Sequence, residues 1–197
     1  MRKNIAILGS TGSIGLTALS VFEKKNKDFK LQLLSANKNF HLICKQIQKY
    51  SPNYFLITDL STYEKIKKKF SKKKVKIIKD FNSIYLKKKV DITISAIPGI
   101  EGLEPTLLMT RFSKKILIAN KESVICGWNL LNKVAKFNKT KIIPIDSEHF
   151  SISKLIENHK ISEINKIYIT ASGGPFLNYN LNRFKKIKPK DALKHPK

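Results

Sequence analysis

Short apolar runs alternate along this chain with longer stretches in which apolar residues recur every three or four positions. The runs, at 5–8, 31–36, 54–57, 75–78, 92–95, 116–119, 142–145 and 167–170, are apolar on both faces and β-branched. Strands buried in the middle of a parallel sheet have this character. The stretches between them predict helices. In the first, Ile14, Ala18, Val21 and Phe22 share one stripe, the spacing of a helix that packs by one face. Further helices are expected over 40–49, 62–70, 105–110, 128–137 and 151–158. The alternation predicts right-handed crossovers and an α/β fold, a Rossmann-like doubly wound, mostly parallel sheet with helices on both faces. No internal repeat and no Pro/Gly/Ser-rich linker is visible. The pattern predicts one domain over 1–145 and the beginning of a second, α+β domain over 146–197, with its own strand ending at Thr170. The lysine- and proline-rich tail offers no terminating helix, so the chain is expected to stop partway into an element, as a fragment would.

The sharpest local signal follows the first strand: Gly9-Ser10-Thr11-Gly12-Ser13-Ile14-Gly15. Gly9 permits a tight exit from the strand, Gly12 lets backbone approach a phosphate, and Gly15 allows close helix–strand packing. Backbone N–H groups and the positive end of a helix then converge where a pyrophosphate can sit. The spacing is one residue off the commoner G-x-G-x-x-G, and a plain strand–turn–helix is the bland alternative. The second strand ends in Ser35-Ala36-Asn37-Lys38-Asn39. An enzyme using NAD often places an acid here for the ribose hydroxyls. Lys38 in place of an acid favours a 2′-phosphate, hence NADP.

Three more segments end strands. Asp146-Ser147-Glu148 follows 142–145. If extended, residues two apart project to one face, and the two carboxylates would need a cation between them. All-oxygen ligation suits Mg²⁺ or Mn²⁺. The alternative is that Asp146 or Ser147 caps a helix with Glu148 in its first turn. Asn120-Lys121-Glu122 offers amide, ammonium and carboxylate to a polar ligand, or is a surface turn. Thr170-Ala171-Ser172-Gly173-Gly174-Pro175 offers backbone N–H groups and the Ser172 hydroxyl to a phosphate, or is a simple loop. Cys126 has no histidine nearby and is expected to be buried. His149 is expected to pack or cap.

Composition narrows the class. At 197 residues and 42% hydrophobic residues the chain can bury a core. Its apolar runs are too short to span a bilayer. No signal peptide is visible, and Cys44 and Cys126 provide neither a disulfide framework nor a zinc spacing, so a cytoplasmic location is expected. The net charge of +25 invites a nucleic-acid reading. The lysines, however, are scattered over helices and linkers and little interleaved with aromatics, so no nucleic-acid or membrane partner is expected. A basic binding module would reveal itself by steep salt dependence.

The glycine turn, Ala119-Asn120-Lys121-Glu122-Ser123, Pro144-Ile145-Asp146-Ser147-Glu148-His149 and Ser172-Gly173-Gly174-Pro175-Phe176 together resemble, in order and spacing, the 1-deoxy-D-xylulose 5-phosphate reductoisomerases. The resemblance implies an NADPH- and Mg²⁺- or Mn²⁺-dependent enzyme that makes 2-C-methyl-D-erythritol 4-phosphate for non-mevalonate isoprenoid synthesis. It implies that Thr11, Gly12, Ser13, Ile14, Asn37, Lys38, Asn39, Asn120 and Glu122 bind NADPH. Lys121, Ser147, Ser172 and His195 would contact the sugar-phosphate substrate, and Asp146 and Glu148 the metal. Lys121, Asp146 and Glu148 would be the catalytic set. Asn37 departs from the glycine often found there. Retro-aldol/aldol and α-ketol routes both fit such a site. The resemblance also implies a homodimer for the complete enzyme, about twice this length. The further part would carry a flap, a third acidic ligand and a helical domain, so weak metal binding and little turnover are expected of this chain alone. Another NADP-dependent oxidoreductase, such as a semialdehyde dehydrogenase, would instead require Cys126 as nucleophile.

Overall fold

The computed structural model describes residues 2–86, 88–169 and 174–194. The chain forms two compact units, Met1–Phe150 and Ser151–Lys197. In the first, β1 (Lys3–Leu8), α1 (Ser13–Lys24), β2 (Phe29–Ala36), α2 (Phe40–Tyr50), β3 (Tyr54–Ile57), α3 (Leu60–Lys69) and β4 (Lys76–Ile78) follow in order. Then come β5 (Val90–Ser95), α4 (Leu103–Met109), β6 (Ser113–Ile118), α5 (Lys121–Phe137), β7 (Lys141–Pro144) and the start of α6 (Ser147–Ile156). The strands form one sheet in the order β4-β3-β2-β1-β5-β6-β7, parallel at every pairing. This is a Rossmann-like doubly wound α/β fold. The chain winds outward from β1 in one direction, returns, and winds outward in the other. Right-handed crossovers therefore put α1–α3 on one face and α4 and α5 on the other.

Both faces are packed, which is why the strands read as continuous apolar runs. Ile5 and Ile7 of β1 join Leu19 of α1, Ile43 and Ile47 of α2, and Ile66 of α3 in one core. Ala6 and Leu8, pointing the other way, join Leu33, Leu56, Val90, Met109 and Ile116. The β1–β2 register slips by one residue between Ile5 and Ala6. Gln32 is the extra residue of that bulge, so Leu31 and Leu34 lie in the same core despite odd spacing.

The amino-terminal edge of the sheet is pinned by Asp91. Its carboxylate accepts the Asn4 backbone N–H at 2.8 Å and the Lys114 ammonium at 2.8 Å. The bond from Lys114, then that from Asn4, hold this carboxyl below the usual range against the opposing effect of burial. Because the folded-state pKa is depressed, the stabilisation is fully present above the unfolded value and is lost as pH falls through the folded one. Asp91→Ala is expected to cost about 1–2 kcal/mol at neutral pH. In urea unfolding measured against pH, the gap between Asp91→Ala and the unaltered chain should close below about pH 4.

The second unit differs from expectation. Its described residues hold the end of α6, 3-10 turns at Ile161–Glu163, Gly174–Phe176 and Leu181–Lys186, and a short helix at Pro189–Ala192, but no strand. The strand expected over 167–170 is absent at 167–169, where Ile167, Tyr168 and Ile169 are exposed; Thr170 lies outside the described residues. An isolated β-prone run leaves its ladder groups unpaired, and no described residue pairs with this one. Among the described residues no helix is long and apolar enough to cross a membrane.

Candidate active site

All the segments singled out in the first unit lie where strands end, along the carboxyl edge of one sheet. The sheet's winding direction reverses between β1 and β5, the position where open α/β sheets take ligands. The glycine loop leaves β1 at that point. Gly9 has φ +77°, and a Cβ there would lie 2.7 Å from the Ala96 carbonyl oxygen. A Cβ on Gly15 would lie 2.2 Å from the Gly9 oxygen and 2.7 Å from Ser10 Cα. Both glycines are thus required by the protein's own backbone.

Gly12 is different. Its φ of −80° and ψ of 170° suit any residue, and a Cβ would meet only the Gly9 oxygen, at an ordinary 3.4 Å. Gly12 is also the N-cap of α1, with no side-chain cap and no acid in the first turn. By contrast, Asn39 caps α2 (Leu42 N–H to Oδ1, 3.1 Å), Asp59 caps α3 (Thr62 N–H to Oδ1, 2.9 Å) and Asn120 caps α5. The first N–H groups of α1 are left to solvent or a ligand, and the dipole favours an anion there. Thr11 is half-buried, and Ser13 and Ile14 are exposed beside this opening. These features fit a pyrophosphate.

Asn37 and Lys38 are exposed at the end of β2. Lys38 lies close enough to Asp59 for its charge to act on that carboxyl. Hydrogen bonds from Thr62 are the main cause holding Asp59 below the usual range, and Lys38 and Lys65 add to them. The oxygen of Asn39 is engaged in capping α2.

Asn120-Lys121-Glu122 is the cap and first turn of α5, which begins earlier than expected and bends at Gly127, whose φ/ψ is non-helical. Asn120 is almost fully buried. Its Nδ2 donates to the carbonyls of Ile97 and Gly99, the latter at 2.7 Å, and its Oδ1 accepts the Ser123 N–H at 2.8 Å. The side chain ties the loop after β5 to the helix after β6, so any contact of residue 120 with a cofactor would run through its backbone. Glu122 is exposed. Cys126 is exposed, not buried as expected, while Cys44 is buried. It lies on an outward part of α5, a side the apolar pattern around it does not disclose.

Asp146-Ser147-Glu148 is not an extended segment. Helix α6 starts at Ser147, and Asp146 is its cap, accepting the His149 N–H at 3.1 Å and facing His149 Nδ1 at 2.7 Å on the same Oδ1. The capping alternative is therefore what the backbone adopts. Burial pushes the Asp146 carboxyl up, but the His149 bonds outweigh it and the net direction is down. Glu148 is also held below its usual range, by its own helix-start N–H first, then by Ser147 and Lys121. Its Oε2 takes the Ser147 hydroxyl at 2.8 Å and the Lys121 ammonium at 3.5 Å. So Lys121, Asp146, Ser147 and Glu148 do come together, through the ends of β6 and β7 rather than strand alternation. An apolar recess of about 500 Å³ beside them, walled by Trp128, Ile142 and Pro144, also reaches Lys121, Asp146 and His149.

The donor set of two ionised carboxylates and a hydroxyl is of the kind Mg²⁺ or Mn²⁺ takes, but it falls short of about six oxygens. No cluster of three or more His, Cys, Asp or Glu fit to hold a metal occurs among the described residues. Ser172 and His195, expected at the substrate, lie outside the described residues. Two residues support the glycine loop: Ser35, which the sequence reading placed at the end of the second strand without a role, and Gln46, which it did not single out. A polar residue on the apolar stripe of Ile43, Cys44 and Ile47 was the available signal for Gln46.

The chain is similar to known proteins in both sequence and fold. The chain is 46% identical over 198 residues to the 1-deoxy-D-xylulose 5-phosphate reductoisomerase of Pelagibacter ubique (strain HTCC1062), covering 98% of this chain and 51% of that protein. It is 41% identical to the one from Clostridium novyi (strain NT), covering 99% and 52%. The solved reductoisomerase from Zymomonas mobilis in complex with NADPH superposes with a TM-score of 0.86 at 29% identity, covering 100% of this chain and 52% of that one. A DOX-P reductoisomerase in complex with NADPH, fosmidomycin and magnesium superposes with a TM-score of 0.81 at 28% identity, covering 98% and 51%. The chain thus spans about half the length of the relatives it matches. Residues 5–127 match the family model for 1-deoxy-D-xylulose 5-phosphate reductoisomerase, and residues 142–197 the model for its C-terminal domain. With both matches in chain order, the chain belongs to the 1-deoxy-D-xylulose 5-phosphate reductoisomerase family.

Proposed function

We propose that this chain provides the NADPH-binding domain, and the first metal and substrate ligands, of an enzyme that converts 1-deoxy-D-xylulose 5-phosphate to 2-C-methyl-D-erythritol 4-phosphate in isoprenoid precursor synthesis. The observation that carries the reading is Gly12, a glycine that neither backbone conformation nor internal packing requires, at the uncapped start of α1. A residue without a side chain at that place is explained by a ligand's close approach. The solved relatives bound to NADPH and magnesium support the same assignment.

In this reading the N–H groups of Ser13 and Ile14 bind the pyrophosphate, and Lys38 binds the 2′-phosphate. Asn37, Asn39 and the backbone of Asn120, with Glu122, border the rest of the cofactor. Asp146 and Glu148 each direct their observed bonds through one oxygen, which leaves the other oxygen of each for Mg²⁺ or Mn²⁺. Lys121 and Ser147 hold substrate oxygens beside them; Ser172 and His195, outside the described residues, are further proposed substrate contacts. NADPH would supply the hydride, and the divalent ion the positive charge that offsets the oxyanion developing as the carbon skeleton rearranges. Lys121 keeps the site from accumulating negative charge and is placed to donate a hydrogen bond to that same oxygen. The complete enzyme would be a homodimer.

Fluorescence titration tests the reading. The chain should bind NADPH more tightly than NADH, and Lys38→Glu should remove most of that preference, because a carboxylate repels the 2′-phosphate. Equal affinity for the two nucleotides in the unaltered chain would overturn the NADP assignment. Mn²⁺ should bind weakly, and less still to Asp146→Asn. Mixed with sugar phosphate and Mg²⁺, the chain alone should oxidise little or no NADPH; robust turnover would show that two carboxylates suffice.

A further inference from the structure

Gln46 is a polar side chain in an apolar place. It lies on the inner stripe of α2 with Ile43, Cys44 and Ile47, and only 3% of it is exposed. Its carboxamide closes a two-bond ring on the glycine loop. The Ser10 hydroxyl donates to Gln46 Oε1 at 2.7 Å, and Gln46 Nε2 donates to the Ser10 carbonyl at 2.8 Å. Ser10 is itself fully buried. Ser35 at the end of β2 completes the support: the Gly9 N–H donates to its hydroxyl at 3.1 Å, and the Ser10 N–H donates to its carbonyl at 2.7 Å. Every polar group of residues 9 and 10 that faces inward is thus held from β2 and α2. Two residues on, the Gly12 N–H turns back to the Gly9 carbonyl at 3.1 Å, and beyond it the chain enters α1 with its first N–H groups open.

We propose that Gln46 is a positioning residue for the dinucleotide: it fixes the peptide between Ser10 and Thr11, and through it the direction in which the start of α1 presents its N–H groups to a pyrophosphate. This rests on the NADPH reading above. A carboxamide is needed because the loop presents one donor and one acceptor at once. Only a side chain with a carbonyl and an N–H on the same carbon matches both. An apolar replacement strands the Ser10 carbonyl and hydroxyl away from water. A carboxylate accepts from the hydroxyl but sets an oxygen against the carbonyl, and it adds a negative charge behind the anion site. A protonated glutamic acid has the shape and hydrogen-bonding capacity of glutamine.

The test uses the full chain, with Gln46→Met and Gln46→Glu, two probes and circular dichroism to establish that each variant is folded. NADPH carries the pyrophosphate; 2′-AMP carries the adenosine and 2′-phosphate without it. Gln46→Met should weaken NADPH tenfold or more while changing 2′-AMP less than twofold. Gln46→Glu should weaken NADPH at pH 7.5, and its deficit relative to the unaltered chain should shrink several-fold at pH 5.5, as burial raises the new carboxyl's pKa and protonation restores the donor. A folded Gln46→Met that binds NADPH within twofold of the unaltered chain overturns the proposal, as does equal loss of both probes. If the methionine variant does not fold, the pH dependence of the glutamate variant decides alone: a deficit that does not shrink on acidification overturns it. Failure of the unaltered chain to bind NADPH would overturn the function reading itself, a result distinguishable from all of these.

Discussion

Gly15→Ala should destabilise the first unit by about 3 kcal/mol or more, whereas Gly12→Ala should leave stability within about 0.5 kcal/mol and remove NADPH binding. The two glycines sit three residues apart in one motif, yet they do opposite things. A Cβ at Gly15 would lie 2.2 Å from the Gly9 oxygen and 2.7 and 2.8 Å from Ser10 Cα and C. All three are backbone atoms of a loop already tied to Ser35 and Gln46, so none can move aside as a side chain would. Relief would mean lifting α1 off β1, which opens the packing of Leu19 on Ile5 and Ile7. At Gly12 the backbone angles are those of an ordinary extended residue, and the added methyl finds only a van der Waals contact. Its methyl would instead occupy the space from which a phosphate approaches the α1 N-terminus. A hundredfold or greater loss of NADPH affinity, worth about 2.7 kcal/mol, is expected from a variant with unchanged urea unfolding. If Gly12→Ala binds NADPH normally, the pyrophosphate does not lie on this loop. If Gly15→Ala is as stable as the unaltered chain, the contact between α1 and the loop is looser than described.

The second large effect is expected at Asn120. Its alanine variant loses the cap of α5 and both bonds to the loop after β5. It leaves the carbonyls of Ile97 and Gly99 and the N–H of Ser123 without that partner where the side chain is 4% exposed. Partial hydration will soften this, so the expected cost is about 3 kcal/mol. Asn120→Asp separates the two roles. It keeps an oxygen for the Ser123 N–H but sets a carboxylate oxygen against two carbonyls, so it should be no more stable than the alanine variant. Urea denaturation at pH 7 measures both. A loss below about 1 kcal/mol for either would mean the side chain is not the tie between the two loops. Because Lys121 follows Asn120 directly as the first residue of the same helix, these variants should also misplace its ammonium relative to Glu148, now 3.5 Å away.

The glycine turn was legible because strand, turn and helix are local and each leaves its own mark on spacing. Lys38, Asn120, Lys121, Asp146 and Glu148 were legible as residues that follow strands, but their work was not. Asn120 was read as a cofactor contact and Asp146 as a metal ligand or a helix cap, and the structure gives both a capping bond. Whether an amide or carboxylate faces inward to a helix start or outward to a ligand depends on where a helix begins, and sequence boundaries are uncertain by several residues. The strand expected over 167–170 shows the same limit from another side. Its β-branched run is a true local preference, and a strand still needs a neighbour.

By itself, the order of apolar runs and amphipathic stretches determined a parallel, doubly wound sheet, and the glycine spacing determined the tight turn that joins its first strand to its first helix. Both follow from local backbone sterics and from periodicity, which act between near neighbours in the chain. Only the tertiary structure decided that Gln46 and Ser35 brace the glycine loop from beneath, and that Lys121 meets Glu148 across the ends of β6 and β7. Those relations join residues tens of positions apart, and they arise only when the winding of the sheet brings the ends of separate strands to one edge.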